Sequence, residues 1–269
     1  MSPFRLRAGF ACALGVLAAA TAGAESALRL PYPHQFSVVP AATYDTHGDR
    51  VGEAHLALER LPDGQVRLLT DTGFESGPRT VLSALLEPVD GRRSLRPVWQ
   101  ESHSFGPGGA PLGMLRVDHV RQEASCVSGP ELDWSHAQRV ALPDADRVAN
   151  VTLSLLFLPL VDDSAEQVEF QIFLCGGGPR VLDFRAAVAD RHDDPTDPGG
   201  RRELVEVSYA PDLGPVGLLV APLLPRLSFW FDPAARQPWL AHRIPLYSDG
   251  PEVLIVRDGL EPARLVSGP

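Results

Sequence analysis

The chain has 269 residues, with 34 acidic against 24 basic side chains and a formal net charge of −10. So acidic a chain offers no positive face to a phosphate backbone, which excludes nucleic acid as a partner. The basic residues are all arginine, so a Schiff-base lysine, a Walker-A lysine and a Ser-x-x-Lys nucleophile pair are excluded too.

At the N-terminus Arg5 and Arg7 precede an uncharged run from Ala8 that closes with Ala22-Gly23-Ala24 before Glu25. A basic start, a short apolar run and an A-x-A site predict a secretory signal peptide over residues 1–24, cleaved after Ala24. The run is short and alanine-rich beside the roughly 20 strongly apolar residues that span a bilayer. No later segment is longer, so the mature chain is expected to lack a transmembrane segment and to reside in the periplasm. Residues 25–269 are expected to form a single domain. Its net charge becomes −12, because Arg5 and Arg7 leave with the signal. Cys12 leaves as well, and an oxidising compartment then predicts one disulfide between Cys126 and Cys175. Two separate buried thiols are the alternative.

From Gln35 the chain reads as extended runs broken by Gly, Pro and Asp, the pattern of an all-β domain. "GEAHLALERL" and "QVRLLTDTGF" flank Pro62-Asp63-Gly64, a hairpin signal, since proline presets one turn φ and glycine accepts a positive one. "TVLSALLEPV" turns at Asp90-Gly91 into "SLRPVW", and "MLRVDHVRQEASC" reads as one further run. "EQVEFQIFLC" turns through Gly176–Gly178 into "RVLDFRAAVAD", followed by "RELVEVSY". The runs "RLSFWFD", "PWLAHRIPLY" and "EVLIVRDG" form a closing meander.

One stretch breaks the alternation. Between about Asp146 and Leu158, Val148, Val151, Leu155 and Leu158 follow helical spacing, with Leu153, Leu156, Phe157 and Leu160 around them. This predicts one helix, apolar on nearly every side, therefore enclosed, and ended by Pro159. The fold expected is mainly β: a curved antiparallel sheet, an open half-barrel, wrapped around one apolar α-helix.

The opening "YDTHGDRVGEAHLALERLPDGQVRL", the apolar mid-chain helix and the closing "FWFDPAARQPWLAHRIPL" resemble uncharacterised bacterial exported proteins of the domain-of-unknown-function kind. Those are similar in turn to the open half-barrels of LolA-type periplasmic lipoprotein carriers. The resemblance covers about Phe36 to Gly259. It implies a fold and a compartment, and it transfers no catalytic residue.

Motifs with chemistry are sparse. Gly176–Gly178 stand between two strand-like runs without G-x-G-x-x-G or G-x-x-x-x-G-K spacing, which predicts a turn and not a phosphate loop. The eight histidines form neither H-x-H nor H-E-x-x-H, so no metal site and no cofactor are expected. Asp190, Asp193, Asp194 and Asp197 surround His192 in a loop lacking the D-x-D-x-D-G calcium spacing, and a solvated loop is expected. G-x-S-x-G is absent. Glu131, Asp133 and His136 are the one polar trio that could perform acid–base work.

The leading functional expectation is a non-enzymatic binding or carrier protein for an apolar, lipid-like ligand. Val151, Leu153, Leu155, Leu156 and Phe157 would hold it, with Leu219, Leu223, Phe229 and Trp230 arriving from later segments. A cell-envelope protein-interaction module without a ligand is the first alternative, its partner another envelope protein. A hydrolase built on Glu131, Asp133 and His136 is the second.

Overall fold

A computed structural model describes residues 28–129, 132, 134–194, 203–214, 227–247, 250–262 and 265. The signal region, Glu131, Asp133, Asp197, Leu219 and Leu223 lie outside these residues. Among the described residues fifteen strands make one antiparallel, curved sheet that does not close on itself. In chain order they are β1 (Leu30–Pro31), β2 (Val38–Tyr44), β3 (Arg50–Arg60), β4 (Val66–Gly73), β5 (Arg79–Val89), β6 (Ser94–Phe105), β7 (Pro111–Asp118) and β8 (Glu123–Ser128). Then come β9 (Gln138–Ala141), β10 (Gln167–Leu174), β11 (Arg180–Asp193), β12 (Glu203–Pro211), β13 (Leu227–Phe231), β14 (Trp239–Pro245) and β15 (Glu252–Arg257). Two single helical turns, α1 (Leu153–Leu156) and α2 (Leu158–Val161), are the α-helical part. The expected mainly-β, curved open sheet around an apolar helical segment is thus the fold observed.

The spatial order is β10 through β15, then β2 through β9, so β15 lies beside β2 and the free edges are β10 and β9. The connection from Leu142 to Glu166 joins those two edges, and it carries the apolar stretch through the concave side. Buried residues from β2 to β6 and from β10 to β15 share one core with Leu153–Phe157, which places that face inward around the curve. Inward positions recur with period 2, as in β4, where Val66, Leu68, Thr70 and Thr72 are buried. Slips of register at Leu85/Leu86, Ser104/Phe105, Val188/Asp190 and Trp230/Phe231 are bulges of the kind that bend a sheet.

The helix is shorter than its spacing suggests. Ala145–Arg147 form a 3-10 turn, and Val148 makes a parallel bridge to Gln171 of β10. The Ala149 amide donates to the Gln171 carbonyl at 2.8 Å. The Asn150 side chain donates to the Phe173 carbonyl at 2.7 Å and accepts from the Phe173 amide at 3.0 Å. Helical φ/ψ over Val148–Asn150 would forfeit this pairing with an edge strand, so α1 begins only at Leu153. Pro159 does not end the helix either. It sits in the first turn of α2, where a missing N–H costs little, and Arg191 caps the far end by donating to the Leu160 carbonyl at 3.1 Å.

Two further expectations are corrected. "MLRVDHVRQEASC" is not one strand but the β7–β8 hairpin, turned where Gln122 takes a positive φ of 52°. The acidic stretch is not loop throughout, since β11 runs to Asp193 and Asp194 is buried. The glycine turn is as expected: the Gly178 amide donates to the Cys175 carbonyl, and Gly177 and Gly178 take φ of 71° and 104°, values that only glycine adopts without strain.

Candidate functional site

The sheet pairs β4 to β8 in direct cross-strand register, which stacks their inward side chains in three tiers. The deepest runs Leu68, Ala84, Gln100, Val117, Ala124, all fully buried. The middle tier runs Thr70, Leu82, Ser102, Leu115, Cys126. The outer one runs Thr72, Thr80, Ser104, Gly113, Ser128. Polarity therefore rises from a floor that is apolar except at Gln100 to a row that is hydroxyl-bearing at every position but the glycine.

Above the floor lies a cavity of about 640 Å³, within the roughly 300–1,000 Å³ range of small-molecule sites. It sits at the end of the sheet where the β4–β5, β6–β7, β10–β11 and β14–β15 hairpins turn. The hydroxyl tiers form one wall. The other half of the sheet supplies an aromatic wall, Phe184, Tyr209 and Phe229; Tyr209 and Phe229 each pack against Phe157 beneath, at 5.5 and 5.3 Å. Among the described lining residues there is no Asp, Glu, Lys or Arg.

Two titratable groups of the wall, His242 and Tyr209, are held uncharged. Burial pushes the His242 imidazole down to about 3 and the Tyr209 phenol well above its ordinary range. His242 stacks on Phe229 at 4.9 Å, and its Nδ1 accepts from the Trp239 indole at 3.2 Å. That bond assigns the ring proton to Nε2. The hydroxyl of Thr80 donates to the Leu246 carbonyl at 2.5 Å, bracing β5 to the β14–β15 turn.

The floor is fixed by Gln100. Its amide nitrogen lies 2.8 Å from both the Val148 carbonyl and His119 Nε2, and its oxygen accepts from the Val151 amide at 2.7 Å. Burial pushes His119 down to about 4, against the opposing pull of Asp146, the Ala145 carbonyl and Asp118. A neutral His119 can accept the bond from Gln100.

Of the residues expected to hold a ligand, Val151, Leu153 and Phe229 line the cavity. Leu155, Leu156 and Phe157 do not; they lie in the packed core below it. Trp230 points to the opposite face of the sheet, in a separate cluster with Leu204, Leu240 and Leu254, because neighbours on a strand face opposite ways. The hydroxyl tiers are not among the residues expected from the sequence, although Thr70-Asp71-Thr72 and Ser102-His103-Ser104 carry their hydroxyls at the strand period.

His136 closes a 3-10 turn on the surface, with Ser135 Oγ 3.5 Å from its Nδ1; its proposed companions Glu131 and Asp133 lie outside the described residues. Among the described residues no group of three or more His, Cys, Asp or Glu could hold a metal ion, and no helix is long and apolar enough to cross a membrane. Cys126 on β8 and Cys175 after β10 are unbonded thiols. They nevertheless meet: both pack in the cluster of Val117, Leu142, Val148 and Phe173 that fills the gap between the two halves. Burial chiefly, and Cys126 itself, push the Cys175 thiol far up.

No protein-family model and no curated protein matches the chain. Among solved structures it is similar to a β-barrel-like protein of the domain of unknown function DUF1849 from Brucella abortus. The match spans 86% of this chain and 97% of that one, at 10% identity and a TM-score of 0.35.

Proposed function

We propose that the protein is a non-enzymatic binding or carrier protein that takes a lipid-like ligand into the cavity between its hydroxyl and aromatic walls. The observation that carries this reading is a cavity of about 640 Å³ with no charged side chain among its described lining residues, built by both halves of one sheet over a floor held by Gln100. Apolar walls with a few placed polar groups are what a small-molecule site requires. The likeness to LolA-type half-barrels belongs to the same proposal, as do the periplasmic address and cleavage after Ala24, which rest on Arg5, Arg7 and Ala22-Gly23-Ala24.

Native mass spectrometry of protein purified from the periplasm tests it. Lipid is expected to co-purify, on a chain whose first residue is Glu25. Ser104→Trp, which places an indole in the cavity, should lose that lipid and keep the fold. A wild-type mass equal to the bare chain, with no uptake of an added uncharged dye such as Nile red, would overturn the reading.

A further inference from the structure

Thr72 is 4% exposed, lines the cavity, and its hydroxyl has no hydrogen-bond partner among the described residues. An enclosed hydroxyl without a partner is a cost that the fold carries unrelieved. Its neighbours sharpen the point. Thr80, directly opposite on β5, spends its proton on Leu246, and the row continues through Ser104 and Ser128. Away from that row, Val151 and Leu153 of the inner connection and Phe229 of the aromatic wall give the same cavity an apolar surface. One part of the space solvates a chain or ring, and another presents a line of hydroxyls.

Charge decides what kind of head this row receives. The chain holds 24 basic residues, yet none described lines the cavity, and neither does an acidic one. A carboxylate or phosphate brought to the Thr72 row would lose water with no cation among the described lining residues to meet it, and an ammonium group with no anion. Either loss is large. A hydroxyl, ester or amide loses less and recovers it from hydroxyls able both to donate and to accept.

Resting on the carrier reading, we infer that the ligand is an uncharged amphiphile, its apolar part against Phe229 and Leu153 and its hydroxyl or carbonyl head on the Thr72–Thr80–Ser104 row. Anionic acyl chains are the class this site selects against.

The test is competition against Nile red on the full mature protein, with a monoacylglycerol and a fatty acid of equal chain length at pH 9, repeated with Thr72→Val. The monoacylglycerol should displace the dye at a concentration at least about 10-fold lower than the fatty acid, as expected when an ionised head must be buried unpaired. Thr72→Val should weaken the monoacylglycerol about 10-fold, the worth of one buried hydrogen bond. It should melt no lower than wild type without ligand, because it removes an unpartnered hydroxyl at constant shape, and the displacement is read against the variant's own affinity for the dye. If dye binds but the fatty acid competes equally, or Thr72→Val is without effect on the monoacylglycerol, the head-group assignment is wrong and the carrier reading stands. If the dye itself fails to bind, both fall.

Discussion

Gln100 and Val151, 51 positions apart in sequence, are joined by a hydrogen bond of 2.7 Å from the Val151 amide to the Gln100 side-chain oxygen. Through it β6 grips the inner connection at the point where that segment leaves β10 and enters α1. Gln100→Leu keeps the volume and strands the Val151 amide and the Val148 carbonyl in a fully buried site. Loss of about 2–5 kcal/mol is expected from the unpaired groups, read as a lowered urea midpoint. A midpoint within experimental error of wild type would show that the bond is dispensable.

Acid should weaken the fold through His119 and His242. Burial holds them at about 4 and about 3, both below the ordinary 6.5. As pH falls from 6.5 the unfolded chain binds these protons first, so stability drops with pH, until about 4 for His119 and about 3 for His242. Above pH 6.5 neither contributes a slope. Each proton is worth about 1.4 kcal/mol per pH unit, so His242→Phe should flatten the stability profile between pH 6 and 4 by close to that amount. An unchanged slope would mean that His242 is already protonated in the fold.

The Cys126 and Cys175 thiols share one apolar cluster across the gap between the two halves. A disulfide donor of the kind present in an oxidising compartment would take two electrons and two protons from the pair, leaving one S–S bond and two thiols on the donor. The bridge closes a loop of about 50 residues, for which chain entropy gives roughly 4 kcal/mol. Non-reducing peptide mapping of protein purified without reductant should find the two peptides joined. Quantitative alkylation of both thiols without reductant would refute it.

Leu156 is 3% exposed and lies in the core below the cavity. Leu156→Asp buries a carboxylate without a partner, costing several kcal/mol, and should abolish the cooperative melting transition. Ser104→Trp, facing the cavity, should keep it. Retention of a wild-type melt by Leu156→Asp would place Leu156 in the cavity wall and not in the core.

Much of the sheet was legible where local chemistry decides: Pro62-Asp63-Gly64 and Gly176–Gly178 turn as their φ preferences demand. The β7–β8 turn was hidden because it uses neither glycine nor proline. It relies on Gln122 at positive φ and on Asp118, whose carboxylate accepts from the Arg121 amide at 2.9 Å. The apolar run from Val148 departs from its spacing for another reason. Its spacing fits a helix, but Asn150 is claimed by Phe173, a partner 23 residues on, and long-range register leaves no local trace. Phe229 and Trp230 were separable by period alone, since adjacent strand residues cannot share a face.

The pairing of β15 with β2 makes the first long strand wait for the last. Each half of the sheet is a local meander that can zip from its own turns, but the junction Tyr44↔Leu254 to Ala41↔Arg257 joins residues some two hundred positions apart. Such closure is slow, because chain entropy is spent before the contacts form. Until it happens, β2 and β15 are both bare edges of matching register. A folding chain therefore exposes its β2 edge until β15 arrives, open to pairing with the β15 of another copy.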